Sequence, residues 1–186
     1  MAVLALLLLG WLVGSGTTVV DQPFFRHDWD AAAWRQHWLL FFTDWRMLVS
    51  VLLLCLIVAL YRRWWVAAAA VIVCPALGLL CVYVLKRLFD RYKDGALAYP
   101  SGHTTQVVIA MGLLVMIVSA RLWVVAIAVT VSLLGMIGMV AVGYHYVTDT
   151  IGGALLATTI VCLAAQLAGV RTPASRQELL DYRQPG

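Results

Sequence analysis

Residues 66–85 read VAAAAVIVCPALGLLCVYVL, twenty positions without a charge. As a helix, a run of about 20 apolar residues crosses the hydrocarbon of a bilayer. Pro75 near its middle predicts a kink, and the carbonyl that the kink frees needs a neighbouring helix. Upstream the run is bounded by Arg62-Arg63-Trp64-Trp65, a basic and aromatic edge of the kind that sits at head-group level. Downstream it meets Lys86-Arg87, the start of a polar stretch that reaches Gly102.

The rest of the chain has the same character. Of 186 residues, 63% are hydrophobic and only 12% are charged, with a mean hydropathy of +0.93. A soluble chain is about half apolar and a quarter charged. The expected fold is therefore all-α: an integral membrane bundle of six transmembrane helices plus an interfacial amphipathic helix, in a single membrane domain over residues 1–186. The spans are read at about 2–20, 47–61, 66–85, 103–120, 122–142 and 150–170. The first begins directly after Met1 with no basic leader and is read as a retained span, although Gly14-Ser15-Gly16 faintly resembles a cleavage site. Residues 21–46 mix Asp and Arg with Trp29, Trp34, Trp38 and Trp45, which suits a helix lying in the interface over about 28–42.

Six spans put both ends of the chain on one side. That side carries Arg62, Arg63, Arg121 and the arginines of the 171–186 tail, 6 basic residues against 7 on the other. The raw count does not orient the protein. Four of the seven (Lys86, Arg87, Arg91, Lys93) belong to a candidate site, so the termini are expected to be cytoplasmic and the site to face outward. A net charge of +4, with no extended basic face, argues against a nucleic-acid partner and for contact with anionic lipid head groups. Cys55, Cys74, Cys81 and Cys162 all fall inside apolar segments and read as small packing residues.

The chemistry is concentrated at three places on the outward side. Pro100-Ser101-Gly102-His103 opens the fourth span. Pro100 stops helix upstream, Ser101 suits an N-cap, and Gly102 lets backbone N–H groups approach an anion at the helix N-terminus. Read alone, the tetrapeptide is equally a plain helix start. His145 and Asp149 are four apart, a spacing that sets them on one face of a helical turn. A carboxylate on one ring nitrogen fixes the tautomer and leaves the other free to attack. Alone, the pair is also an interfacial histidine beside a capping aspartate. Lys86, Arg87, Arg91 and Lys93 supply positive charge nearby, as any membrane flank does. His27 and His37 read as surface residues, and a membrane haem is disfavoured because His103 and His145 lie at the rim of the bundle.

Taken together the three places resemble the signature of the type 2 phosphatidic acid phosphatase (PAP2) family: Lys-x6-Arg-Pro, Pro-Ser-Gly-His, and Ser-Arg-x5-His-x3-Asp. The resemblance covers about residues 66–170. It implies an integral membrane lipid phosphatase with His145 as nucleophile, Asp149 orienting it and His103 protonating the leaving oxygen. Lys86, Lys93, Ser101 and the Gly102 N–H would bind the phosphoryl oxygens, with no metal and no cofactor. Lys93 stands where the family has Arg, Asp94 where it has Pro, and Gly138-Met139 where it has Ser-Arg. Lysine lacks the guanidinium fork, so Arg91 or Arg87 is expected to supply replacement charge. The implied substrates are a phospholipid such as phosphatidic acid, or a polyprenyl phosphate or diphosphate of the cell envelope. A phosphotransferase of the same family and a catalytically weak lipid-binding homologue remain open, as does a homodimer. A transporter is disfavoured, because no charge lies mid-span.

Overall fold

The computed structural model describes residues 2–14, 16–22, 38–118 and 120–169. Among the described residues the architecture is a bundle of six helices with one short hairpin: α1 (Ala2–Val13), α2 (Trp45–Tyr61), α3 (Trp65–Phe89), β1 (Tyr92–Lys93), β2 (Ala96–Leu97), α4 (Gly102–Val118), α5 (Leu122–Ala141) and α6 (Val147–Leu167). Four stretches among the described residues are long and apolar enough to cross a membrane: α3, α5, α6, and α2 together with the helical turn that precedes it from Trp38. Leu53, Leu54, Ile57, Ile72, Leu80 and Leu163 lie half-exposed or more on the outside of the bundle. In water such a surface would aggregate. In lipid it is the ordinary outer face of a multi-pass membrane protein.

Local chemistry explains the helix ends. Asp44 caps α2, its carboxylate accepting from the Arg46 N–H at 2.8 Å. At the far end, Arg62 donates to the carbonyl of Ile117 at 2.9 Å, setting a cation on the C-terminal end of α4. Helix α1 stops at Val13, seven residues before the expected end of the first span, because Gly14 turns left-handed at φ +56°. Helix α3 does the opposite. It runs past Leu85 to Phe89, so Lys86 and Arg87 ride on its last turn, where cations are favoured, instead of lying in a loop. The expected interfacial helix over 28–42 falls mostly outside the described residues, as does the 171–186 tail. Residues 38–41 are helical.

Helix α4 is the axis of the bundle, packing against α2, α3, α5 and α6. Val107, Ile109, Ala110 and Leu113 on it are fully buried. Gln106, one turn below His103, donates to the Pro75 carbonyl at 3.1 Å and so ties α4 to α3 at the proline. Helix α6 seats against α1, α3 and α4. Two glycines allow that approach. A Cβ at Gly153 would lie 2.6 Å from the Ser101 carbonyl oxygen, and one at Gly152 would run into the Tyr99 ring. Tyr99 itself is fully buried, stands edge-on to Phe89 at 5.2 Å and donates to the Leu6 carbonyl at 2.7 Å. Burial, then the charge of Asp149, pushes its hydroxyl pKa up and keeps it a neutral donor.

Candidate active site

The C-terminal ends of α3 and α5, the N-terminal ends of α4 and α6, and the hairpin all meet at one end of the bundle. The hairpin turn is Asp94-Gly95, both at positive φ (49° and 81°), the conformation a two-residue turn requires. Strand β1 pairs antiparallel with β2, Tyr92 opposite Leu97 and Lys93 opposite Ala96.

After α5, Gly143 reverses the chain at φ +83° and Tyr146 opens α6. This brings His145 back over the first turn of α6, where Asp149 is the third residue. Asp149 is fully buried, and its Oδ2 accepts from the Tyr146 N–H at 2.9 Å. The same Oδ2 stands 3.6 Å from Nδ1 of His145, which is too long for a hydrogen bond. That Nδ1 is buried and has no hydrogen-bond partner. A buried imidazole nitrogen without a partner is costly. Here it faces the Asp149 carboxylate across that gap.

His103 stands on the first turn of α4. Its ring centroid lies 6.4 Å from that of His145, tilted by 58°. The two motifs are joined through the backbone: the Ser101 N–H donates to the Asp149 carbonyl at 2.9 Å. The Ser101 side chain is fully buried and accepts from the Thr104 N–H at 3.4 Å. Ser101 therefore acts as a helix cap and a strut, and it does not line the cavities beside the histidines, where the phosphate role expected for it would put it.

Two cavities flank the histidine pair and share Lys86, His103, Tyr144 and His145. One, of about 390 Å³, opens under the hairpin and is also walled by Lys93. The other, of about 690 Å³, runs between α2, α3 and α4 along Leu48, Leu79 and Val82 and includes Gly102 and Met139. A chamber walled by two lysines and a longer apolar trough thus join at two imidazoles. Lys86 donates to the Leu97 carbonyl, while Lys93 donates to the Gly143 carbonyl and pairs with Asp94 at 3.1 Å. Both ammonium groups stay at the chamber wall.

The two arginines expected to add charge to the pocket are elsewhere. Arg87 is exposed and lies over the Tyr83 ring at 4.5 Å. Arg91 is fully buried behind Asp149, and its guanidinium spends every donor on the protein. Its NH1 donates to Asp149 Oδ1 at 2.6 Å and to Thr148 Oγ1 at 2.7 Å. Its NH2 donates to Asp21 Oδ2 at 2.9 Å and, with Nε, to the Gly16 carbonyl. Asp21 in turn accepts from Thr18 and Thr148. Burial opposes its charge, but these hydrogen bonds prevail and hold its carboxyl below the usual carboxylate range. Sequence reasoning missed this role of Asp21, because its partners are 70 and 127 residues away.

Residues 85–173 match the sequence profile described as the PAP2 superfamily. In structure the chain is similar to the transmembrane PAP2-type phosphatidylglycerolphosphate phosphatase of Bacillus subtilis. The TM-score is 0.74 at 20% identity, over 92% of this chain and 96% of that one. No protein of curated function matches it in sequence.

Proposed function

This chain belongs to the PAP2 superfamily, and from that premise we propose that it is a membrane lipid phosphatase working through a phosphohistidine. One observation carries the reading. His145 turns a buried, unpartnered Nδ1 toward Asp149, while a second imidazole stands 6.4 Å away across a shared cavity.

In the proposed reaction Nε2 of His145 attacks phosphorus. The N–P bond forms as the bond to the leaving oxygen breaks, and His103 gives its proton to that oxygen, releasing the lipid alcohol from a monophosphate or the lipid monophosphate from a diphosphate. His103, now neutral, takes a proton from water. The water oxygen attacks phosphorus, the N–P bond breaks, and inorganic phosphate leaves with His145 restored. Asp149 stabilises the charge that the His145 ring carries in between. Lys86, Lys93 and the first N–H groups of α4 stabilise the spreading charge on the phosphoryl oxygens.

The substrate is a lipid because of where the cavities lead. The chamber with Lys86 and Lys93 in its wall suits a phosphate, and the apolar trough along Leu48, Leu79 and Val82 suits the chain attached to it. Phosphatidic acid, phosphatidylglycerol phosphate and polyprenyl phosphates or diphosphates share that plan. The domain spans residues 1–186, with the site facing outward and the termini cytoplasmic.

The test is release of phosphate by the purified protein from each of these lipids, with EDTA present. A denaturation trap should capture an acid-labile, base-stable phosphoryl label. His145→Ala should lose both label and turnover, and His103→Ala should lose turnover, each with the melting profile retained. Near wild-type turnover in either variant sinks the assignment.

A further inference from the structure

We propose that Asp21 and Arg91 are positioning residues that set the charge Asp149 presents to His145, so that a short segment after α1 is part of the catalytic apparatus. The proposal rests on the phosphohistidine reading above and deepens it.

The geometry is a line of buried charges: Asp21, Arg91, Asp149, then the His145 ring. Arg91 bridges the two carboxylates at 2.9 and 2.6 Å, and all three side chains are fully buried. Thr148 locks the line from the side. Its hydroxyl accepts from Arg91 and donates to Asp21, and its N–H also donates to Asp21. The elements involved are the turn after α1, the segment that follows α3 and the start of α6, so the line joins three separate parts of the chain behind His145.

The charges explain why two acids are needed. Arg91 on Asp149 alone would neutralise the carboxylate that must support a cationic His145 ring. Asp21 balances Arg91, and the trio keeps one net negative charge. That charge is cancelled when the ring becomes positive. A mere strap across the helices would need no such balance, because hydroxyls and amides could tie the same segments together.

Other groups also face His145: Asp149 on α6, His103 on α4, Lys86 on α3, Lys93 on β1, and Tyr144 and Tyr146 beside it. None of them changes in the test variants, so a displaced pH profile reports the Asp21–Arg91 pair.

The experiment measures kcat/KM against pH for the full-length protein in detergent with a lipid phosphate that wild type cleaves. Asp21→Asn removes one negative charge. It should move the acid limb, set by loss of the His145 proton, to lower pH by about one unit, a tenfold change in proton affinity for a unit charge at this remove in a medium of effective dielectric about 20. Arg91→Gln removes the positive charge and should move the limb upward. The double variant should fall between the two single variants, even though packing losses lower its melting temperature. Asp21→Glu, which keeps the charge, should leave the limb in place. Either single variant suffices if the other does not fold. An unmoved limb in a folded single variant, or a shift of the same sign in both, overturns the proposal. A wild-type protein that forms no phosphohistidine overturns the underlying reaction instead, and the trapped label tells the two failures apart.

Discussion

Substituting Gly153 with alanine tests the seam that brings the two histidines together. The added Cβ would lie 2.6 Å from the Ser101 carbonyl oxygen, 3.1 Å from Thr105 Oγ1 and 3.2 Å from Thr104 Cβ. The first of these is backbone and cannot rotate away. Helix α6 must therefore back off α4 by about 0.8 Å to restore the 3.4 Å of ordinary packing. That displacement stretches the Ser101 N–H to Asp149 carbonyl bond beyond its 2.9 Å and widens the 6.4 Å between the imidazoles. Overpacking of this kind costs about 1–3 kcal/mol. A misplacement near 1 Å between reacting groups costs about a hundredfold in rate. Gly112→Ala is the control. It lies on the same α4–α6 seam, and its Cβ would meet Val161 methyl carbons at 2.9 and 3.0 Å, far from the histidines. Both variants should melt earlier in detergent, but only Gly153→Ala should lose turnover by roughly two orders of magnitude. Wild-type turnover in Gly153→Ala would refute the idea that this close approach sets the geometry of the site.

Tyr99→Phe removes the buried hydroxyl that donates to the Leu6 carbonyl. It should lower stability by about 1 kcal/mol, read as an earlier thermal transition. Asp21 has a depressed carboxyl pKa, so its stabilising contribution is fully present above the ordinary value of 3.8 and is lost as pH falls through the lowered folded value. Thermal melts of wild type should therefore drop steeply at strongly acid pH, and Asp21→Asn should flatten that drop while lying lower at neutral pH. A wild-type acid profile in Asp21→Asn would refute the assignment.

The spans were legible because lipid imposes a blunt rule: a helix must carry about 20 apolar residues across it. The ends were less so. Cations such as Lys86 and Arg87 read as loop, yet they are favoured at a helix C-terminus, and α3 absorbs them. The Asp94-Gly95 pair did carry a hairpin signal, masked by the charges around it. His145 and Asp149 could be paired from their spacing and His103 marked by the helix start it opens, while Lys86 and Lys93 stood out from the other basic residues only through the family resemblance. The structure gathers all five at one end of the bundle. Arg91 could not be placed. Nothing local distinguishes a guanidinium aimed at a ligand from one consumed by Asp21 and Asp149, which lie 70 and 58 residues away. Met139 is buried on the cavity wall where the family pattern has a cation.

The axial helix is also a short one. At 17 residues, α4 is about 25 Å long, against a hydrocarbon layer of about 30 Å. Its N-terminal end carries His103, and Arg62 ties down its other end. The longer helices around it set the match to the bilayer, so a phosphate reaches His103 by sinking beneath the plane of its neighbours or where the lipid dips at the pocket mouth. Host-membrane thickness then becomes a control on turnover: in vesicles of graded acyl length, phosphate release should fall as the chains lengthen, and a flat response would show that the dimple does not exist.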